Sequence, residues 1–202
     1  MAGPRLNETI PHVWFDVPVV TIVEPDPRWA KEFESIAERL REAVDTGVVT
    51  IDHIGSTSVP GLPAKDVIDV QITVSDEDSL ERVAAALAAR GWRRRVGFDR
   101  DHQVPGLPTA PAEWRKALLV EAEGERRANV HCRVHGRANQ RYALLFRDFL
   151  RVHPDAAEAY AQVKRGLAAL APDIDSYADA KDPACDLIYA AAEAWANTNN
   201  SK

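Results

Sequence analysis

The sequence predicts an α+β fold, a mixed β-sheet flanked by helices and covered by a helical C-terminal layer. Three observations carry this. Up to about residue 136, short β-branched runs alternate with amphipathic helical segments. Beyond Gly136 the periodicity is helical throughout. Two segments, 67–74 and 128–135, alternate apolar and polar residues, the pattern of strands whose two faces meet different surroundings.

The elements follow in order. Val19–Val23 reads as an opening strand or extended segment, punctuated by Pro25 and Pro27. From Arg28 to about Val44, Trp29, Phe33, Ile36, Ala37, Leu40 and Val44 recur at three- and four-residue steps, which predicts an amphipathic helix. Val48–Ile54 and Val67–Val74 are strands joined by a Gly-Ser turn and a proline-containing loop. A helix over Leu80–Arg90 is expected to be capped by Asp78 or Ser79 and ended by Gly91. Trp92–Phe98 resembles a strand with a basic outer face, and residues 99–113, with three prolines, a loop. Ala117–Glu121 and Ala128–His135 are expected to pair as a hairpin around residues 123–126. Helices are then predicted over 139–152, 155–171 and 183–197, the first two parted at His153-Pro154. The layout is one domain over 19–197 (α/β part 19–136, helical part 137–197), with an extension over 1–18 and a tail over 198–202.

Bulk properties narrow the function. The chain has 202 residues, 46% hydrophobic and 28% charged, enough for a real core and unlike a disordered chain. Its net charge of −6 argues against general nucleic-acid or anionic-membrane binding, so neither is expected as a partner. No apolar run reaches the roughly 20 residues needed to span a bilayer. Residues 1–17 lack the basic-then-apolar pattern of a secretory signal. Cys132 and Cys185 fit no zinc or redox spacing and read as two free thiols, so a cytoplasmic protein is expected. Nothing in the sequence specifies an oligomeric state.

Residues 53–74, HIGSTSVPGLPAKDVIDVQITV, carry the chemistry. Gly55 permits close backbone approach to a phosphate, and Ser56, followed by Thr57 and Ser58, offers a hydroxyl and an N–H. On the next strand Asp69 is placed to hold a divalent cation against that phosphate. Alternation puts Asp69, Gln71 and Thr73 on one face of that strand. Asn129, His131, Arg133 and His135 share the corresponding face of the later strand. If the strands are neighbours, these faces merge into one polar patch; the other reading is that both simply face solvent. His131 and His135 lie about 13 Å apart along an extended strand, too far to share a metal. His53 reads as structural as readily as functional. Trp29, Phe33, Phe146 and Phe149 read as core.

The same string resembles the GrpB (UPF0157-type) family, related to the DNA polymerase β-like nucleotidyltransferase superfamily. So do EPDPRWAKEFESIAERL (24–40), NVHCRVHG (129–136), FRDFLRVHPDAAEAYAQVKRGLA (146–168) and SYADAKDPACDLI (176–188). The resemblance implies a nucleotidyltransferase-like fold, a Gly-Ser motif binding nucleotide phosphates, and strand carboxylates holding Mg²⁺. The usual Asp-x-Asp pair falls here on Asp69 and Gln71, so a neutral amide stands where a second acid is expected. Asp66, three residues earlier, faces the other way, and 129–135 offers His131 and Arg133 in place of a third acid. The family-like segments also bring Lys65, Arg147, Tyr160, Lys164 and Lys181 as candidate phosphate or substrate contacts. Tyr160 and Lys164 share a helix face, while Arg147 and Lys164 each also read as solvated helix charges.

The expectation is a protein that binds a nucleotide or phosphorylated small molecule at the Gly-Ser turn and transfers a nucleotidyl group to a small acceptor. Asp69, His131 and Arg133 are its catalytic candidates, with Mg²⁺ on Asp69. Two alternatives stand beside it. One is a binding module that has lost the chemistry, and the other is an enzyme of different reaction type using the same pocket.

Overall fold

The computed structural model describes residues 20–44 and 47–200, so the expected extension over 1–18 and the start of the Val19–Val23 strand lie outside the described residues. Helix α1 (Arg28–Ala43) buries Trp29, Phe33, Ile36, Ala37 and Leu40, the apolar stripe of its sequence. Strand β1 (Val48–Ile54), a 3₁₀ turn at Ser56–Ser58 and strand β2 (Ile68–Val74) follow. Next come α2 (Glu77–Ala89), the two-residue β3 (Arg93–Arg94), β4 (Lys116–Val120) and β5 (Ala128–Val134). Helices α3 (Ala138–Val152), α4 (Pro154–Leu170) and α5 (Ile174–Asn200) complete the chain.

The sheet order is β1-β2-β5-β4-β3, with β2 and β5 parallel and the other neighbours antiparallel. The fold is thus a mixed sheet flanked by helices. One face presents Ile68, Val70, Ile72 and Val74 of β2 and Val130, Cys132 and Val134 of β5, packed with α1 and α2 into one core. Helices α3, α4 and α5 form a second core on the opposite side, around Phe146, Phe149, Tyr160 and Tyr189. The polar stripes of β2 and β5 are therefore covered by helices. Gln71 and Thr73 are fully buried, as is most of Arg133. Such burial is tolerable only where every polar group finds a partner.

Four local expectations are corrected. The opening strand is reduced to a single bridge between Val23 and Ala64. Helix α2 starts earlier than expected because Asp76, in extended conformation, caps it by accepting from the Ser79 amide at 2.7 Å. Trp92–Phe98 yields only β3, since Gly97 adopts φ +85° and the chain turns away. The last helix begins at Ile174 and carries Pro183 inside it, so proline there does not mark a start, and the helix runs through 198–200. Both cysteines are free and buried. Among the described residues no helix is long and apolar enough to cross a membrane.

Candidate functional site

Gly55 adopts φ +68° and ψ −171°, a conformation close to glycine's alone. A Cβ there would overlap the Asp69 carboxylate and lie 2.9 Å from the Asp69 Cβ. The glycine is required because the turn rests directly on the Asp69 side chain. The turn's other hydroxyls are internal fasteners. Ser58 Oγ donates to Gly55 O at 2.6 Å, while Thr57 Oγ1 lies 3.0 Å from His53 Nε2 and donates to Val67 O. His53 belongs to the core face of β1, stacked 4.7 Å from Phe33, and burial pushes its ring down to about 4. From the helical side, Arg151 donates twice to Ser58 O and Arg147 donates to His53 O at 3.0 Å. Two arginines of α3 thus brace the backbone of the turn.

The turn opens onto a cavity of about 300 Å³ between the polar face of the sheet and the C-terminal helices. Parallel pairing sets Asp69 beside Asn129, Gln71 beside His131 and Thr73 beside Arg133. Asp69 Oδ1 accepts from Asn129 at 2.8 Å and stands 3.9 Å from His131 Nε2. Burial would raise the Asp69 carboxyl, yet the His131 ring and the Asn129 amide hold it below its ordinary value. Burial and the adjacent Arg133 push His131 down to about 4, so the ring is neutral at physiological pH.

Deeper in the sheet lies an ion network. Asp101 accepts from Arg133 through both oxygens at 2.8 and 3.0 Å, from Lys116 at 2.6 Å and from Asn139 at 3.0 Å. Burial would raise its carboxyl, but Arg133 and Lys116 hold it well below the carboxylate range. Arg133 also donates to Gln71 Oε1 at 2.7 Å, and Gln71 Nε2 donates to Gln140 O on α3. The only buried polar side-chain atom lacking a partner among the described residues is Asn139 Oδ1, on a residue that also lines the cavity.

Three lysines from three elements line the same cavity: Lys65 from the loop before β2, Lys164 from α4 and Lys181 from α5. Lys65 sits 5.4 Å from the Tyr177 ring centroid and Lys164 sits 4.7 Å from that of Tyr160. Lys164 is 2% exposed and donates to Pro63 O. Burial, with Lys181 and Arg165 nearby, lowers its amine to about 7. Burial also lowers Lys65, which Asp69 opposes and Lys181 reinforces.

Of the residues singled out in the sequence, the cavity brings together Gly55, Ser56, Thr57, Lys65, Asp69, His131, Arg133, Tyr160, Lys164 and Lys181. It does not include three of them. Ser58 is turned into its own turn, Gln71 into the interlayer network, and Arg147 onto the β1 backbone with Asp52 and Asp148. Lys164 is buried, not solvated, and Asp66 faces away, accepting from Trp29 and Arg126. Asp101 was missed because it sits in a proline-rich loop with no periodicity. Its one signal is an acid that must find cations once Arg133 and Lys116 are placed on an inward face.

The Mg²⁺ expected at this position meets an unsuitable donor set. Among the described residues no three His, Cys, Asp or Glu side chains are grouped to hold a metal. Asp69 contributes one carboxylate, Gln71 is engaged by Arg133, and Asp101 is surrounded by cationic and amide donors. These residues do not fit a two-ion centre.

The profile of the family described as GrpB protein matches residues 19–191. The chain belongs to the GrpB family. The GrpB protein of Enterococcus faecalis has a solved structure that aligns with a TM-score of 0.69 at 27% identity, covering 87% of this chain and 99% of that one. The UPF0157 protein BH1888 of Halalkalibacterium halodurans is 31% identical over 176 residues, 87% of this chain and 83% of that protein. A protein of Mycolicibacterium paratuberculosis named dephospho-CoA kinase is 37% identical over 196 residues, 91% of this chain but 48% of the kinase. The chain thus spans about half the length of that relative. The Cid1 poly(U) polymerase with Mg 3'-dATP bound aligns at a TM-score of 0.50 and 13% identity, covering 78% of this chain and 49% of that one, a likeness of fold alone. The GrpB chain described here has a nucleotidyltransferase-like fold.

Proposed function

We propose that this GrpB protein binds a nucleotide or phosphorylated small molecule in the cavity, with its phosphates against the Gly55–Ser56 turn. The observation that carries this is the convergence of Lys65, Lys164 and Lys181 beside that turn. Beyond the effect of burial, Lys181 lowers both of the others, so its charge opposes each of them across the cavity. Like charges held together in a partly dry site are costly, and an anion between them removes the cost. The mycobacterial relatives carry the name dephospho-CoA kinase, which agrees with a nucleotide-type ligand.

A second reading, group transfer to a small acceptor, is favoured by the Asp69–His131 pair on the cavity wall. The ionised Asp69 carboxylate, held by Asn129 and flanked by the neutral His131 ring, would accept a hydrogen bond from an acceptor hydroxyl and orient it.

Calorimetric titration with ATP, GTP, CTP, UTP and inorganic pyrophosphate tests the binding reading. Saturable binding of at least one is expected, and Lys181→Ala should weaken it by about tenfold or more, as for loss of a charge-assisted hydrogen bond. Absence of binding by all five would remove the proposal.

A further inference from the structure

Where the sequence departs from the Asp-x-Asp pattern, at Gln71, the structure has a connected set of buried polar contacts. Gln71, two residues after Asp69, is fully buried and accepts from Arg133 Nη1 at 2.7 Å. The same guanidinium grips both oxygens of Asp101, and Lys116 and Asn139 add two further donors to that carboxylate. An ionised carboxylate offers about four acceptor positions, and these four donors occupy them. Asp101 therefore has no lone pair left for a metal. Arg133, Lys116 and Asp101 together leave one positive charge, held beside the sheet and 7–17% exposed at their side chains.

This charge lies close to Asp69. Arg133 Nη2 is 3.5 Å from His131 Nδ1, and the other nitrogen of that ring is 3.9 Å from Asp69 Oδ1. One imidazole separates the guanidinium from the carboxylate that a divalent ion would require. Asp69 also feels Lys65, and its Oδ1 is already occupied by Asn129. A dication placed on Asp69 would meet fixed cations on two sides and a single carboxylate in compensation.

We propose that the positive charge a nucleotidyltransferase-like fold draws from divalent ions is here built into the protein, so the cavity takes its anionic ligand without a divalent cation. The Gln71–Arg133–Asp101–Lys116 network supplies one fixed positive charge on the sheet side, which offsets the Asp69 carboxylate, so the surplus positive charge of the cavity comes from its lysines. Lys65, Lys164 and Lys181 contact the anion from the loop and helices. Gln71 follows from this arrangement: an aspartate there would compete for Arg133 and neutralise it, whereas the amide orients the guanidinium and keeps its charge. The inference rests on the proposed binding of a phosphate-bearing ligand.

The experiment uses the intact chain. Mn²⁺ is titrated alone and followed by electron paramagnetic resonance, and ATP and inorganic pyrophosphate are titrated calorimetrically in EDTA and again in excess Mg²⁺. The expected result is no saturable Mn²⁺ binding, with anion affinity in EDTA equal to or greater than that in Mg²⁺. The double variant Gln71→Asp/Arg133→Met frees a second carboxylate beside Asp69 and should gain Mn²⁺ affinity by about tenfold or more. Saturable Mn²⁺ binding by the wild-type chain that Asp69→Asn removes overturns the inference, as does anion binding that requires Mg²⁺. Both leave the proposed function standing. Failure of both anions, and of GTP, CTP and UTP, to bind in either condition overturns the proposed function and this inference together. The wild-type titrations decide the matter even if the double variant does not fold.

Discussion

At the scale of single residues, Gly55 shows how a motif's glycine is set by its neighbour. The turn could be explained by phosphate approach alone, but the structure supplies a reason internal to the chain, since any Cβ would enter the space of Asp69. Two costs act on Gly55→Ala, backbone strain at φ +68° and collision with the carboxylate. Together they should destabilise the protein by about 2 kcal/mol or more in urea unfolding. The two are separable. In an Asp69→Gly background, which removes the Cβ as well as the carboxylate, the collision is relieved and the strain remains, so the cost should fall by at least about 0.5 kcal/mol. An identical cost in both backgrounds would assign the whole effect to the backbone. Asp69 is thus both a cavity-wall acid and part of the floor on which the turn sits, and its substitution must be read with stability measured alongside binding.

At the scale of elements, helix α2 offers a direct test of a boundary that the sequence leaves ambiguous. Asp78 and Ser79 are the caps expected from the sequence, and Asp76 takes that place in the structure. Only Asp76 accepts from the Ser79 amide, and hydrogen bonds from Ser75 and Ser79 lower its carboxyl to about 2. Asp76→Ala is therefore expected to lower the thermal unfolding midpoint clearly more than Asp78→Ala; the reverse ranking would place the cap elsewhere. What was legible elsewhere follows the same logic. Helix α1 was readable because its buried apolar residues recur at the helical period, β2 and β5 because polar and apolar residues alternate along them, and β1 and β4 as short apolar runs. Helix α5 was foreshortened because Pro183 suggests a first turn, although a long helix packed on α3 and α4 tolerates it inside. The loop over 99–113 carries no period, so Asp101, whose partners come from β4, β5 and α3, had no local signal. Alternation did reveal that Asp69, Gln71, His131 and Arg133 share faces. It could not tell a face turned to solvent from one sealed beneath helices.

At the scale of the whole molecule, that sealing is the organising fact, and Lys164 measures it. Its amine reaches from α4 to the Pro63 carbonyl, tying the helical layer to the loop that leads into β2. An unfolded lysine keeps its proton to about 10.5, whereas the folded Lys164 releases it near 7. Between those limits the unfolded chain binds more protons than the folded one, so stability rises with pH across the window. Below about 7 the folded protein bears the full cost of the buried cation. Lys164→Met keeps the length of the side chain and drops the charge, so it should abolish this rise. In urea unfolding from about pH 7 to 9, wild type should gain stability relative to the variant with a slope approaching about 1.4 kcal/mol per pH unit. Parallel pH profiles would mean that the amine stays solvated and that the helical layer does not close over it. A phosphate-bearing ligand that pairs with Lys164 should raise its proton affinity. The wild-type slope should therefore flatten when such a ligand is bound, while the variant's profile keeps its shape.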